Sequence, residues 1–217
     1  AHGCGHYRIL EPLQAMLDAG LCRGGASPEL FGPHLVLRSG ADTLVLQRPI
    51  NDEGLAVLES LQPLRGVRRI YEIDDDLAHI PPSSVHARGV PPDIRKRMAR
   101  GIALCDRLVV STEPLARALA GLHPDIRVVP NRLPPRWWGA TPPVRRRVRS
   151  GRPRVGWAGG AGHQGDLLMV AEVIRELAEQ VDWVFFGMCP DALRPYVHEF
   201  HAPVPTPEYP ARLMALS

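Results

Sequence analysis

The stretch that decides the fold is residues 153–166, Pro-Arg-Val-Gly-Trp-Ala-Gly-Gly-Ala-Gly-His-Gln-Gly-Asp. It begins with a short β-rich run, residues 153–158, and continues through a glycine-rich turn into a predicted helix over about 165–180. The apolar residues of that helix recur at helical spacing and predict its buried face: Leu167, Val170, Ala171, Ile174, Leu177, Ala178 and Val181. The next apolar run, residues 182–187, predicts a second strand. A strand, a crossover helix and a strand define a unit of parallel sheet.

The same alternation of strand and helix runs upstream of this stretch. Strands are predicted at 42–47, 67–73, 107–111 and 126–130. Helices are predicted at 7–19, 53–62 and 113–121, with shorter ones at 190–198 and 208–216. A further helix begins near Asp93 and places four residues on one face, namely Ile94, Met98, Ile102 and Cys105. The predicted fold class is α/β, with Rossmann-like parallel sheets covered by helices on both faces.

A segment rich in proline and glycine, residues 133–152, interrupts the alternation and predicts a linker. It separates an N-terminal Rossmann-like domain at 1–132 from the start of a second one at 153–217. In such a fold a strand precedes the loop that leads into the first helix, and a whole domain needs about 100 residues or more. We therefore expect a strand before Ala1 and further chain after Ser217.

Composition limits the classes of protein to which the chain can belong. Hydrophobic residues make up 45% and charged residues 23%, which excludes wholesale disorder. The net charge is +3, but residues 132–154 hold eight arginines and no acid, so the remainder carries 18 − 23 = −5. The four cysteines, which form no C-x-x-C pair, argue against a zinc ribbon or a disulfide framework and suit a reducing compartment.

The glycine-rich turn is the strongest candidate for a binding site. Glycine lets the backbone approach an anion, and a following helix start directs N–H groups at it. We therefore predict that Gly159, Gly160, Gly162 and His163 bind a phosphate or diphosphate. The spacing matches neither G-x-G-x-x-G nor a P-loop. The alternative is a tight turn in which Asp166 caps the helix and His163 is an ordinary surface residue.

The second candidate site is the acidic segment Asp74-Asp75-Asp76, which ends a predicted strand. Ligand sites in α/β sheets lie at the carboxyl ends of strands. Adjacent carboxylates repel one another, so we expect at least one to be hydrogen-bonded, paired with arginine or bound to a metal. The spacing Asp74-x-Asp76 also resembles the D-x-D pair that holds a metal-bound nucleotide sugar in GT-A transferases. The alternative is a solvated acidic turn that caps the next element.

Two further segments invite a functional interpretation that we do not favour. His2, Cys4 and His6 alternate in a glycine loop, but such spacing rarely directs three side chains at one ion, so no metal site is predicted. Trp137-Trp138 and the neighbouring arginines could suggest nucleic-acid binding. Because the rest of the chain is acidic, we interpret them as a linker that packs its tryptophans, and we predict no nucleic-acid partner.

Taken together, these segments resemble bacterial glycosyltransferases of the GT-B fold, in the broad family 4 group. The resemblance covers nearly the whole chain, and the order of its motifs is more specific than any one of them. It rests on Gly3-Cys-Gly-His-Tyr-Arg-Ile9, Leu46-Gln-Arg-Pro49, Tyr71-Glu-Ile-Asp-Asp-Asp-Leu77, Cys105-Asp-Arg-Leu-Val-Val-Ser-Thr112, Val129-Pro-Asn131, residues 156–166 and Phe186-Gly187.

The resemblance implies two Rossmann-like domains that face each other across a cleft. The C-terminal domain would hold a nucleotide-diphosphate sugar, with Gly159, Gly160 and His163 on the diphosphate. Gly3, Gly5 and Arg8 would line the facing loop, and Asp74, Asp75 and Asp76 would lie on the acceptor side and take part in catalysis. The acceptor would be a glycan or a lipid-linked glycan of cell-envelope polysaccharide synthesis. No cofactor or metal is required, because backbone N–H groups and cations can stabilise the departing diphosphate. The resemblance implies a cytoplasmic enzyme and allows peripheral contact with the inner face of the membrane.

The sequence departs from the family in two ways. Many members place an arginine and a lysine near the second-domain loop, where this chain has Trp157 and His163. The acidic motif and nucleotide pocket of the family would lie beyond Ser217. We therefore expect little or no sugar transfer from this chain alone.

Two alternatives remain open. A nucleotide-sugar epimerase of the same fold would act on nucleotide sugar without an acceptor. A non-catalytic module could bind an anionic glycan or nucleic acid through residues 132–154. That module predicts steeply salt-dependent binding that survives His163→Ala and fails when the linker arginines are neutralised.

Overall fold

Parallel strands run through the part of the chain that the computed structural model describes, which comprises residues 3–82, 84–139 and 151–216. The chain divides into a first unit, Ala1–His79 with Pro91–Leu133, and a second unit, Ile80–Val90 with Pro134–Ser217. Each unit contains a parallel sheet with helices, which confirms the predicted Rossmann-like α/β class. The anion-binding alternative relied on the arginines of residues 132–154, and four of those eight arginines, at 145, 146, 147 and 149, lie outside the described residues.

The sheet of the first unit has the strand order β1-β2-β3-β4, and every neighbouring pair is parallel. Its strands, as far as the structure describes the unit, are β1 (Thr43–Gln47), β2 (Arg68–Ile73), β3 (Arg107–Val110) and β4 (Ile126–Val128). Gln47 is paired with Glu72 and Ile73 with Val110, so the carboxyl ends of these strands meet at one edge. Every predicted strand of this unit is found, with ends that differ by one or two residues.

The helices of the first unit follow the predicted order with one addition. They are α1 (Glu11–Asp18), α2 (Pro33–Ser39), α3 (Asp52–Ser60), α4 (Ile94–Ala103) and α5 (Glu113–Ala118). A π-helical turn, His6–Leu10, leads directly into α1, and a 3₁₀ turn, Leu77–His79, follows β2. Helix α2 was not predicted. The predicted apolar face of α4 is confirmed for Ile94, Met98 and Ile102, which are buried; Cys105 is also buried but lies beyond the end of the helix.

The sheet of the second unit has the order β5-β6-β7 and is also parallel. Its strands are β5 (Arg154–Ala158), β6 (Asp182–Phe186) and β7 (Glu199–His201). Its helices are α6 (Pro135–Trp138), α7 (Gln164–Met169), α8 (Ala171–Glu176) and α9 (Tyr209–Met214). Its 3₁₀ segments are Val85–Gly89, Ala161–His163, Asp191–Tyr196 and Thr206–Glu208. Strand β7 and helix α6 were not predicted.

The long helix predicted over 165–180 is wrong in one respect, because the structure divides it into α7 and α8 at Val170. The division turns the Val170 side chain outward, so that it is 46% exposed instead of buried. Other members of the predicted face do form the core, where Leu167, Ala171 and Ile174 lie with Phe185 and Leu193. All four tryptophans of the chain fall in the second unit: Trp137, Trp138, Trp157 and Trp183.

A charged pair joins the outer strands of the second sheet. Arg154 of β5 donates to both carboxylate oxygens of Glu199 in β7. The guanidinium lowers the pKa of the Glu199 carboxyl to about 2 from an ordinary value of 4.5. The pair therefore stabilises the unit above pH 4.5, and this contribution is lost as the pH falls toward 2.

We expect Glu199→Gln to remove that part of the acid dependence of unfolding. Because the Glu199 side chain is 42% exposed, the change in unfolding free energy at neutral pH should be no more than about 1 kcal/mol. Urea unfolding between acid and neutral pH measures it, and Glu172→Gln, at an exposed residue of α8, is the matched control. An unchanged pH dependence in Glu199→Gln would show that the pair contributes nothing.

Candidate functional sites of the two units

The acidic segment lies at the carboxyl edge of the first sheet, and an arginine compensates two of its three charges. Nη1 of Arg48 lies 3.5 Å from Oδ1 of Asp74 and 3.7 Å from Oδ2 of Asp75. The Asp74 side chain is 9% exposed, whereas that of Asp75 is 63% exposed. The carboxylate of Asp75 is therefore the accessible one of the two, and repulsion within the segment is relieved as expected.

Arg48 occupies an unusual backbone position. It follows β1 directly and has a φ of 37°, in the left-handed region that residues other than glycine rarely adopt. Its amide donates to the carbonyl of Glu72 at 2.8 Å, which holds the arginine beside the end of β2. Sequence reasoning missed Arg48 as a site residue, although a cation is the expected neighbour of adjacent carboxylates.

Asp76 does not contact Arg48 and instead forms hydrogen bonds within the turn that follows β2. One carboxylate oxygen accepts from the amide of Ala78 at 3.1 Å, and the other lies 2.7 Å from Nδ1 of His79. Asp76 thus caps the 3₁₀ turn after β2, as the structural alternative for this segment predicted. Of the three predicted catalytic aspartates, Asp74 and Asp75 share Arg48, whereas Asp76 faces the turn that follows it.

Cys4 faces the acidic segment rather than the other residues of the N-terminal loop. Burial raises the pKa of its thiol to about 11, helped by a hydrogen bond with Asp74, so the thiol stays protonated. Ligand atoms of Cys4, Asp74 and Asp75 lie within 4.8 Å of one another, close enough for one ion. The guanidinium of Arg48 already compensates the two carboxylates, however. His6 pairs with Glu11 at 3.1 Å, and His2 lies outside the described residues.

A buried ion pair anchors the N-terminal helix to this edge of the sheet. Nε of Arg8 donates to Oε1 of Glu72 at 2.6 Å, and both side chains are at most 5% exposed. Burial raises the pKa of the Glu72 carboxyl even though Arg8 and Gln47 both donate hydrogen bonds to it. Arg8 also donates to the carbonyl of Val129 and to Oδ1 of Asn131. Arg8 is therefore a buried structural residue that links the N-terminal helix to β2 and to the segment after β4.

The other two residues predicted for the N-terminal loop lie where the helix begins. Gly3 has a φ of 48°, which requires glycine or a strained residue, and Gly5 is already helical in backbone conformation. The helix thus starts before the predicted residue 7. This early start places Cys4, like Arg8, within the helix.

The glycine-rich turn of the second unit follows β5 and is tightly packed on one side. The amide of Gly159 donates to the carbonyl of Phe186 at 3.0 Å. A Cβ atom on Gly159 would lie 2.7 Å from the Trp157 ring, and one on Gly187 would lie 2.4 Å from the carbonyl oxygen of Gly159. These two glycines are therefore required for packing, and Gly159 contributes no open face to a ligand.

Gly160 marks the open side of the same turn, because a Cβ atom there would meet nothing within 4 Å. Within the described ranges, the amides of three consecutive residues, Gly160, Ala161 and Gly162, donate to no protein acceptor. The next amide, that of His163, donates to the carbonyl of Gly160 at 3.1 Å. The turn thus presents a run of N–H groups that a ligand could accept from.

The side chain of His163 is held by its neighbour in the same turn. Nδ1 of His163 lies 2.9 Å from Oδ2 of Asp166, and both side chains are exposed. A phosphate contact from His163 would therefore use Nε2, which donates only in the protonated imidazolium. Asp166 lies inside α7 and does not cap it, so the alternative in which Asp166 is the N-cap is wrong.

No family model matches this chain, and no curated protein is similar to it. In the described residues, none of the helices combines the length and the apolar character that crossing a bilayer would need.

Proposed function

We propose that this chain belongs to a glycosyltransferase and that its second unit binds the diphosphate of a nucleotide-diphosphate sugar. The observation that carries the proposal is the run of unused N–H groups at Gly160, Ala161 and Gly162. These amides follow the carboxyl end of a parallel strand, which is where α/β sheets place their ligands.

The chemistry of sugar transfer explains why amides would suit this role. As the bond between the sugar and the diphosphate breaks, negative charge develops on the departing diphosphate. Fixed N–H donors stabilise that charge without reorganising, and no metal is required for this. Because Nδ1 of His163 donates to Asp166, Nε2 adds a further donor beside the amides only when the imidazole is protonated. Phosphate recognition by successive backbone N–H groups is a recurrent arrangement in proteins.

The acidic edge of the first unit suits a sugar acceptor. Asp75 offers an exposed carboxylate next to Arg48, and such a pair can accept from and donate to sugar hydroxyls. Asp74 and Asp76 position this edge through Arg48 and through the 3₁₀ turn. The acceptor that this proposal assigns is a glycan or a lipid-linked glycan.

Ala161→Pro tests the diphosphate site by removing one N–H group. Proline suits this position because Ala161 is the first residue of its 3₁₀ turn and Gly160 before it is extended, with φ −91° and ψ 175°. A hydrogen bond to a charged group contributes about 1.5–3 kcal/mol, so binding of inorganic diphosphate should weaken roughly tenfold or more. Isothermal titration calorimetry measures the affinity.

Ala161→Ser is the matched control, since it keeps the N–H group and should bind diphosphate as the unmodified chain does. Equal affinity of Ala161→Pro and Ala161→Ser would refute the role of the amides. Failure of the unmodified chain to bind diphosphate at millimolar concentration would refute the proposed function.

A further inference from the structure

A segment that sequence analysis left unassigned packs against the glycine-rich turn. The 3₁₀ turn Val85–Gly89 lies within Ile80–Val90, which belongs to the second unit. A Cβ atom on Gly162 would lie 2.5 Å from Nε2 and 2.8 Å from Cδ2 of His86. Oγ of Ser84 donates to the carbonyl of Gly162 over a long 3.5 Å. The Nε2–Cδ2 edge of the His86 ring thus occupies the position that a Cβ atom of residue 162 would take.

This contact explains why residue 162 is a glycine, and the reason differs from the one that applies to Gly159. Gly162 does not have a left-handed backbone, so another residue could adopt its conformation. What excludes a larger residue is the imidazole ring. At Gly160, two residues away, the same added atom meets nothing. The chain therefore offers a matched pair of glycines, Gly162 against the ring edge and Gly160 beside open space.

Few interactions attach this segment to the glycine-rich turn. His86 is exposed, and its contact with Gly162 is made by one edge of the ring, at Nε2 and Cδ2. The segment itself is a 3₁₀ turn, whose hydrogen-bond geometry is poorer than that of an α-helix. Segments with few buried contacts and exposed hydrogen bonds open by local unfolding at little cost.

We propose that residues 84–90 form a cover over the glycine-rich turn, held closed by the contact of the His86 ring edge with Gly162. A ligand on the amides of Gly160, Ala161 and Gly162 displaces the cover because the imidazole occupies the space beside Gly162. The identity of the ligand depends on the proposed function, whereas the existence of the cover depends only on the contact between His86 and Gly162.

Trypsin cleavage after Arg88 tests the cover, since Arg88 lies in the 3₁₀ turn. Gly162→Ala forces the imidazole away, and Gly160→Ala leaves it in place. Because cleavage follows the population of the open form, we expect the rate at Arg88 to rise about threefold or more in Gly162→Ala and to stay unchanged in Gly160→Ala. Mass spectrometry of the fragment ending at Arg88 gives the rate, and cleavage at exposed Arg23 in the first unit is the internal reference.

His86→Ala is a second variant that leaves the turn itself intact, and it should behave as Gly162→Ala does. Equal cleavage rates at Arg88 in Gly160→Ala, Gly162→Ala and His86→Ala would overturn the proposal. The last experiment adds inorganic diphosphate to the unmodified chain. Binding that speeds cleavage at Arg88 supports displacement of the cover by the ligand, and binding that leaves the cleavage rate unchanged contradicts it. Variants that differ in cleavage without any diphosphate binding would leave the cover standing and refute the proposed function.

Discussion

Replacing Arg8 with methionine is expected to destabilise the first unit by about 3–5 kcal/mol, the range observed when one partner of a buried ion pair is removed. Methionine keeps much of the length and apolar stem of arginine, so the loss would come chiefly from the charge. Glu72 would remain buried with only Gln47 as a donor, and the carbonyl of Val129 would lose its hydrogen bond. Urea unfolding of the variant beside the unmodified chain measures the difference.

The pH dependence of the same variant has a definite sign. Burial already raises the pKa of Glu72, and loss of the guanidinium would raise it further. A carboxyl group whose pKa is raised by folding favours the folded state below its unfolded pKa and opposes it as the pH rises. The deficit of Arg8→Met should therefore be larger at pH 8 than at pH 5.

The double variant Arg8→Met with Glu72→Gln is the control. It removes the buried charge together with its partner, so most of the lost stability should return and the pH dependence should disappear. A double variant as unstable as Arg8→Met would show that the defect comes from packing. A single variant as stable as the unmodified chain would show that the pair has no structural role.

Gly187→Ala is expected to destabilise the second unit by at least about 3 kcal/mol, because a left-handed backbone costs roughly 1–2 kcal/mol for a residue with a Cβ atom and the clash adds to it. Gly187 has a φ of 100°, and its Cβ would lie 2.4 Å from the carbonyl oxygen of Gly159. That contact is with backbone, so relief requires the turn to move. Denaturant unfolding measures the loss.

Gly160→Ala is the control for this substitution, because its Cβ meets open space and its φ of −91° is ordinary. It should alter the free energy of unfolding by no more than about 1 kcal/mol. Because Gly187 fixes Gly159, Gly187→Ala should also weaken diphosphate binding at the adjacent amides. A variant with unchanged stability would mean that the turn accommodates the added atom without moving.

Much of the fold could be predicted because buried parallel strands and their helices leave strong patterns. The run Arg107–Val110 is a short apolar strand bounded by polar residues, and the face of α4 repeats at helical spacing. The break at Val170 could not be predicted, since valine fits a helix and no proline or glycine marks the break. Strand β7 is only three residues long, and tertiary pairing with β6 rather than local sequence defines it.

The candidate sites were only partly predictable, because contacts between residues distant in sequence leave no local pattern. The sequence indicates where a strand ends, so Asp74 and the glycine-rich turn could be placed at carboxyl ends. It does not indicate which distant residue comes to lie there, as Arg48 does beside Asp74 and His86 does on Gly162. The buried pair of Glu72 could have been predicted, because an acidic residue inside an apolar strand needs a buried hydrogen-bonding or charged partner.

The placement of every tryptophan in the second unit has an optical consequence. Indole emission reports the unfolding of that unit, whereas far-ultraviolet circular dichroism reports the helices and strands of both. One sample observed by both signals therefore shows whether the two units unfold at the same denaturant concentration. Loss of Arg8 should alter the dichroism curve, and loss of Gly187 should shift the emission midpoint.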